Sequence, residues 1–256
     1  MSDYITSVSN LVYTYPDGHT AVRDISFEIR RGESIGIIGA NGAGKSTLLM
    51  LIMGLLMPQS GEIWVEGIKV TPKSLAAVRE RIGMVLQDPD DQLFMATVYD
   101  DVAFGPRNYK LDEPEVYERV IKALQTVGIL YLKDRPPFRL SGGEKRAAAI
   151  ASVLSMRPGI LVMDEPTSSL DPKARRRLIS MLKGLTQTKI ITSHDMDMVM
   201  EVCSRAIVLR EGRIAADGLA RDILADYSLL EECGLERPLS LQNCPLCGSK
   251  KQESGR

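Results

Sequence analysis

A glycine-rich stretch near the start of the chain constrains the fold more than any other feature. It matches the phosphate-loop pattern G-x-x-x-x-G-K-[ST]. The apolar run 34–38 before it is typical of a buried parallel strand, and the apolar run 48–57 after it predicts a helix that closes at Pro58. The stretch therefore joins a strand to a helix N-terminus, and its members are Gly39, Ala40, Asn41, Gly42, Ala43, Gly44, Lys45, Ser46 and Thr47.

This position suits the binding of a phosphate chain. Backbone N–H groups and the helix dipole converge on an anion at such a turn. The glycines Gly39, Gly42 and Gly44 allow the backbone to approach the ligand closely. Lys45 offers a positive charge to the outer phosphates, and the Ser46 hydroxyl is a ligand for Mg²⁺. The alternative is a glycine-rich turn that matches by chance, which the flanking strand and helix disfavour.

A second apolar run, 160–163, ends in Asp164 and Glu165. Ligands of parallel sheets bind at the carboxyl ends of the strands, so both acids are predicted to reach the same site. Asp164 would hold Mg²⁺ directly or through water, and Glu165 would polarise a water for attack on the γ-phosphate. Alone, such a pair is better explained as capping or solvated acids. Together with the phosphate loop it indicates nucleotide hydrolysis.

The order of predicted elements gives an α/β fold. Strands and helices alternate in the core, which predicts a parallel sheet, while strands within 5–30 pair through a turn at 16–18 and predict an antiparallel β subdomain. A mostly helical insert spans about 89–157 and includes a helix entered at 112–115. We expect a nucleotide-hydrolysing domain over 1–218, followed by a C-terminal helix near 219–232 and a tail that ends at 256.

The charge balance argues against a nucleic-acid partner, and the hydropathy pattern argues against a membrane-spanning segment. The 32 basic and 33 acidic side chains nearly cancel, so no nucleic-acid partner is predicted. The basic run 175–177 is predicted to be a solvated helix face. The chain starts without the basic and apolar segments of a signal peptide, and no apolar run approaches the roughly 18 residues of a membrane span. We expect a soluble intracellular protein that reaches a membrane only through partners.

The chain has four cysteines. Cys203 is predicted to be a buried free thiol. Cys244 and Cys247 have the spacing of half a zinc ribbon, but a structural zinc usually takes four ligands and both histidines lie far away in sequence. A second pair across a dimer, or Cys233, would have to complete the site. The alternative is a frayed tail with two free thiols.

The run Leu-Ser-Gly-Gly-Glu at 140–144 makes the chain resemble the ATP-binding-cassette (ABC) ATPases over about residues 8–218. The resemblance implies two ATP molecules, with Mg²⁺, held between two head-to-tail subunits. Each subunit's signature would complete the other's site through Ser141, Gly142, Gly143 and Glu144. Two positions depart from the family. Glu144 replaces the usual glutamine and adds a negative charge, which would do little harm if it were turned away from the phosphates. Ala147 replaces an arginine of many members, which puts one helix contact in doubt.

Further roles follow from the resemblance. Tyr15 matches the aromatic that stacks on adenine, although a core aromatic is the alternative. Gln87 matches the glutamine that contacts Mg²⁺ and the attacking water, so the Mg²⁺ set becomes Ser46, Gln87 and Asp164. Asp171 matches the loop that communicates across the dimer. His194 matches the histidine that contacts the γ-phosphate, and with Lys45 it would stabilise charge while Glu165 acts as the base.

Residues 87–94 and 101–106 closely resemble the ATPases of energy-coupling-factor importers, especially the cobalt and nickel type. The resemblance implies two ATPase subunits, identical or related, on a transmembrane coupling protein with a small substrate-binding membrane protein. The chain would sit at the cytoplasmic face of the cell membrane. Leu93, Phe94 and Met95 would be exposed in a docking groove, or alternatively packed under the insert.

Two other functions share the nucleotide motifs. One is a soluble ABC ATPase that serves in assembly or regulation and moves no solute. The other is a nucleic-acid-linked ABC ATPase, which is disfavoured because those proteins usually have tandem or coiled-coil architecture. This chain has one cassette and balanced charge.

Overall fold

The computed structural model describes residues 4–242, which form two β-sheets and the helices around them. The strands are β1 (Tyr4–Thr14), β2 (Thr20–Arg30), β3 (Ser34–Ile38), β4 (Ser60–Val65), β5 (Ile68–Lys69), β6 (Ile82–Val85), β7 (Ile160–Asp164), β8 (Thr188–Thr192), β9 (Arg205–Arg210) and β10 (Arg213–Leu219). The helices are α1 (Lys45–Ile52), α2 (Leu75–Arg79), α3 (Val98–Asn108), α4 (Glu113–Thr126), α5 (Gly142–Leu154), α6 (Pro172–Gly184), α7 (Met196–Val202), α8 (Ala220–Ala225) and α9 (Tyr227–Glu232).

The larger sheet has the order β10-β9-β3-β8-β7-β6. The five strands from β9 to β6 are parallel, and β10 returns antiparallel along β9. Every residue of β3, β7 and β8 is buried, as expected of strands covered on both faces. Because β8 pairs with both β3 and β7, the loops that follow these three strands meet at one edge.

The smaller sheet is antiparallel, with the order β2-β1-β4-β5. Ile25, Phe27 and Ile29 of β2 are buried and alternate with exposed residues, as the sequence predicts. These side chains share one apolar core with α1 and with Ile35 and Ile37 of β3. The predicted α/β fold with an antiparallel β subdomain is therefore confirmed.

A helical insert separates β6 from β7. It contains α3, α4 and α5, which bury Val102, Val120 and Ala148 in a second apolar core on the opposite side of the larger sheet. Asp112 caps α4 by accepting a hydrogen bond from the Glu115 N–H, with Pro114 in the first turn. The predicted helix entry is correct.

Two helix boundaries differ from prediction. The helix predicted over 48–57 begins at Lys45 and ends at Ile52, because Gly54 takes a left-handed conformation with φ of 66° and stops it. The predicted C-terminal helix is two short helices, α8 and α9. Asp226 stands between them and caps α9 by accepting from the Leu229 N–H.

The structure also bears on the cysteines and on membrane insertion. Cys203 is buried with a free thiol, as predicted. Cys244 and Cys247, with the predicted zinc site, lie outside the described residues. Within 4–242 no helix combines the length and the apolar character needed to span a bilayer.

Candidate nucleotide-binding site

A cavity of 580 Å³ opens where the loops after β3, β6, β7 and β8 meet. It unites side chains from five distant parts of the sequence. The predicted site residues that line it are Tyr15, Asn41, Gly42, Gly44, Lys45, Ser46, Thr47, Gln87, Asp164, Glu165 and His194. Gly39, Ala40 and Ala43 of the phosphate loop do not line it, and neither do the signature residues and Asp171. The signature residues and Asp171 line two other clefts, Gly142 in one and Ser141, Gly143, Glu144 and Asp171 in the other.

The phosphate loop is held by close backbone packing. Gly44 has a φ of 101°, and a Cβ at this position would overlap the carbonyl oxygen of Ala21. The Gly212 N–H donates to the Ala43 carbonyl at 3.2 Å, so the turn between β9 and β10 supports the loop from the other side. The backbone conformation and the lack of space together require glycine at position 44.

Lys45 is the central cation of the cavity. Its side chain is buried, and its ammonium donates to the carbonyls of Gly39 (2.8 Å) and Ala40 (3.1 Å). Burial lowers the pKa of Lys45, and the nearby carboxylates of Glu165 and Asp164 oppose this effect. The same ammonium lies 3.3 Å from His194 Nε2. A positive charge is thus held at the loop mouth.

The two acids after β7 have different environments. Asp164 is buried and accepts a short hydrogen bond from the Thr192 hydroxyl. Glu165 has a φ of 46°, a strained value for a residue with a side chain. Its Oε2 accepts from the His194 N–H at 3.1 Å, whereas its buried Oε1 has no hydrogen-bond partner within residues 4–242 and lies 3.4 Å from His194 Nε2. Oε1 thus faces the His194 ring with its hydrogen-bonding capacity unused in this structure.

An ion pair between Asp195 and Arg175 fixes the backbone next to His194. Its neighbour Asp195 caps α7 and receives two hydrogen bonds from the Arg175 guanidinium, at 2.5 and 2.6 Å. Burial is the largest single influence on the pKa of Asp195 and would raise it, but the hydrogen bonds and charge of Arg175, together with the bonds from Met198 and Thr167, lower that pKa on balance. The prediction of a solvated basic face is therefore wrong for Arg175. Arg176 does pair at the surface, with Glu201.

Tyr15 borders the cavity rather than the core. Its hydroxyl lies 3.0 Å from the Thr47 hydroxyl, and its ring meets Tyr13 edge to face at 5.0 Å between centroids. These two contacts hold a partly exposed aromatic ring beside the phosphate loop. An aromatic face at this position suits a flat heterocycle.

The donors for a divalent cation are oxygens of three kinds. Ser46 offers a hydroxyl, Gln87 an amide oxygen and Asp164 a carboxylate, and all three line the cavity. Mg²⁺ prefers such oxygen ligands and keeps several waters. No cluster of three or more His, Cys, Asp or Glu side chains suited to a metal occurs within 4–242. The residues present thus fit Mg²⁺ bound together with phosphate oxygens.

The signature begins a separate helix. Ser141 caps α5, and Glu144 returns the contact in a capping box, so that each residue satisfies the other's backbone N–H. The Glu144 carboxylate is therefore turned toward Ser141. Asp171 caps α6 through the N–H groups of Lys173 and Ala174. Both predicted interaction segments are capped helix N-termini.

Two arginines were missed by sequence reasoning. Arg175 reaches Asp195, and Arg146 reaches the carbonyls of Leu86 and Gln87. Neither contact has a short-range signal, because the partners are 20 residues apart in the first case and about 60 in the second. The arginine type alone does not distinguish a buried clamp from a solvated face.

A comparison with known families identifies the class. The family model for ABC transporters matches residues 22–168, which is more than half of the chain. The chain therefore belongs to the ABC transporter family, and it is an ABC-type ATPase. Proteins of this class bind ATP at the phosphate loop.

Similar proteins indicate which type of ABC ATPase the chain resembles. A putative ABC transporter ATP-binding protein of Geobacter sulfurreducens is 58% identical and covers 97% of this chain and 100% of its own length. The energy-coupling factor transporter ATP-binding protein EcfA of Methanosphaera stadtmanae is 43% identical, over 91% of this chain and 86% of its own. The resemblance to energy-coupling-factor ATPases is confirmed.

Solved structures agree with this assignment. CbiO1 of Clostridium perfringens, part of the ABC transporter complex CbiONQ, has a TM-score of 0.82 at 43% identity, covering 90% of this chain and 94% of its own. An ATP-binding cassette solved as a dimer in a post-hydrolysis state with ADP and Pi has a TM-score of 0.76 at 28% identity, covering 84% and 99%. The fold is thus that of ABC ATPases.

Proposed function

We propose that this chain is the ATP-hydrolysing subunit of an energy-coupling-factor importer. It works as a head-to-tail pair on a transmembrane coupling protein that also carries a small substrate-binding protein. The observation that carries the proposal is an apolar groove of 240 Å³ beside the segment that follows Gln87. Such a groove, next to a residue of the nucleotide cavity, gives a membrane partner access to the state of the nucleotide.

The groove has an aromatic wall and an acidic floor. Phe94 and Phe104 are 63% and 45% exposed, and their rings meet edge to face at 5.0 Å. Asp101 is buried, and its Oδ1 accepts from the N–H groups of Phe94 and Met95 at 2.9 and 3.0 Å. Its Oδ2 has no hydrogen-bond partner in the described part of the chain. An amphipathic helix with a donor on its apolar face fits this surface.

One expectation about the groove changes. Leu93 is only 7% exposed and belongs to the core of the insert, so it does not serve docking. Met95 is partly buried. The docking surface rests on Phe94, with Phe104 contributed by α3.

The proposed hydrolysis uses side chains around the cavity. Glu165 takes a proton from the attacking water through Oε1, and its strained backbone and the His194 N–H fix its direction. Lys45 and His194 stabilise negative charge on the transferring phosphoryl group. Mg²⁺, held by Ser46, Gln87 and Asp164, would neutralise phosphate charge when bound. Tyr15 stacks on the adenine.

The proposed dimer follows from the distribution of these parts. Ser141, Gly142, Gly143 and Glu144 lie outside the cavity of their own chain. A second subunit facing head to tail brings its signature to this cavity, with Asp171 at the contact. ATP binding closes the pair, and hydrolysis with phosphate release reopens it. All parts are present in one chain, which is compatible with a homodimer.

The proposed solute is cobalt, nickel or another micronutrient. Its support is the similarity to CbiO1, a part of the CbiONQ complex, and the close match of residues 87–94 to that type. The solute itself would be chosen by the membrane subunit. The chain would lie at the cytoplasmic face of the membrane, held there by its partners.

Affinity purification from mildly solubilised native membranes tests this function. We expect the tagged chain to recover a coupling membrane protein and a small membrane protein, and the double variant Phe94→Ser/Phe104→Ser to lose both. Tyr117→Ser is the matched control, because Tyr117 is a 57% exposed aromatic on the same insert. Recovery of soluble proteins alone, with unchanged ATPase activity, would favour the alternative of an assembly or regulatory ATPase.

A further inference from the structure

Arg146 holds the backbone at Gln87. Its side chain is 3% exposed, and its two terminal nitrogens donate to the carbonyls of Leu86 and Gln87, each at 2.6 Å. Arg146 lies in the second turn of α5, whose cap is Ser141. One side chain therefore links the residue that enters the nucleotide cavity to the helix that begins with the signature.

Burial of the Arg146 guanidinium carries a desolvation cost, so this contact adds little to the stability of the fold. Burial lowers the pKa of the Arg146 guanidinium, with only Asp88 acting in the opposite direction. Its Nε has no hydrogen-bond partner among residues 4–242. A buried cation that is paired only with carbonyls returns little net stability after desolvation. What the arrangement does provide is a fixed position for two adjacent carbonyls.

Further contacts attach the loop 86–92, which contains Gln87, to α5. The Gln92 side chain accepts from the Leu86 N–H at 3.0 Å and donates to the Ala149 carbonyl at 2.9 Å. Lys145 forms an ion pair with Asp90 at 2.6 Å. The loop 86–92 is thus held to α5 at three points along its length, so loop and helix move as one unit.

We propose that Arg146 is a positioning residue for ATP hydrolysis. It acts through Gln87, by holding that backbone where the amide side chain reaches the cation and the attacking water. It also makes Gln87, in one nucleotide site, rigid with the Ser141 signature that serves the other site. The inference rests on the proposed role of Gln87 and does not depend on a membrane partner.

Steady-state hydrolysis by the purified chain tests the proposal. Arg146→Met removes both hydrogen bonds, and we expect kcat to fall roughly tenfold because the amide of Gln87 is misplaced. Binding of a fluorescent ATP analogue and KM stay within about twofold, since Lys45 and Tyr15 are untouched. Arg146→Lys keeps the charge but loses the two-pronged contact, and we expect an intermediate kcat.

A double-mutant cycle with Gln87→Ala separates positioning from general damage. If Arg146 acts through Gln87, adding Arg146→Met to Gln87→Ala lowers kcat by less than about twofold further. A full tenfold loss in that background would overturn the proposal. A normal kcat for Gln87→Ala alone would instead overturn the assigned role of Gln87.

The matched control is Lys189→Met. Lys189 is also a buried cation that donates to two carbonyls, those of Leu185 and Gln187, at the far end of β8. We expect this variant to lose stability and keep its kcat. A kcat loss in Lys189→Met equal to that in Arg146→Met would show that any buried cation has the same effect, which contradicts positioning. If Arg146→Met fails to fold, the cycle is run with Arg146→Lys.

Discussion

The carboxylate of Glu144 binds Ser141 twice, at 2.8 Å from its backbone nitrogen and at 2.8 Å from its hydroxyl. These bonds lower the pKa of Glu144, the backbone bond most. A serine hydroxyl has a single proton, so Ser141 cannot donate to Glu144 and to a partner's γ-phosphate at the same time. In the proposed dimer, Glu144 competes with the nucleotide for the signature serine.

Glu144→Gln is therefore expected to strengthen nucleotide-driven pairing. The neutral amide holds the hydroxyl less tightly and removes a negative charge near the phosphates. We expect the concentration of a non-hydrolysable ATP analogue that gives half dimer, measured by light scattering, to fall roughly two- to fivefold. Glu115→Gln, in the first turn of α4, is the control and should not change it. Weaker pairing in Glu144→Gln would refute the competition.

Glu165→Gln separates binding from chemistry. The amide preserves size and can still meet the His194 N–H, but it cannot take a proton from water. We expect hydrolysis to fall by roughly 10²- to 10⁴-fold while ATP binding persists and the closed dimer accumulates. Released phosphate and size-exclusion chromatography measure the two effects. Undiminished hydrolysis would remove Glu165 from the role of base.

Arg175→Met is expected to destabilise the protein in a pH-dependent manner. It leaves the half-buried carboxylate of Asp195 without its partner, at a cost of about 2 kcal/mol at pH 7. Because the folded-state pKa of Asp195 is depressed, this contribution is present above the unfolded value of about 3.9 and is lost as the pH falls through the folded value. Urea unfolding at pH 7 and near pH 3 measures it. An equal difference at both pH values would contradict this origin.

Cys203 is expected to be inert in the folded protein. Burial raises its pKa to about 12, so the reactive thiolate is scarce at pH 8. In a variant with the other three cysteines changed to serine, a thiol reagent should react only as fast as the chain opens. Adding urea should accelerate the reaction by orders of magnitude. Rapid labelling without urea would show that the thiol is accessible.

The sequence was sufficient to predict those elements whose structure depends on a local pattern of residues. The apolar runs that become β3 and β7, and the glycines between β3 and α1, predicted the strand-loop-helix arrangement of the phosphate site. The acids Asp164 and Glu165 were predicted at the sheet edge because parallel strands end there. Alternation along β2 predicted its solvated face. Each of these features depends on neighbours within about ten residues.

The sequence was insufficient to predict contacts between side chains that lie far apart along the chain. Nothing within the run 175–177 separates Arg175, which reaches Asp195, from Arg176, which pairs at the surface. The early end of α1 arose from Gly54, whose left-handed conformation outweighs the apolar run that continues beyond it.

The order of strands in the larger sheet has a consequence for biosynthesis. Ser34 of β3 pairs with Lys189, and Ile38 pairs with Val208, so the strand that carries the phosphate loop is made long before both of its neighbours. At about 5–20 residues per second, the ribosome needs roughly ten to thirty seconds to cover that distance. During this time a strand that is fully buried in the folded protein lacks both neighbouring strands in the nascent chain, and the ATP site is among the last parts to form.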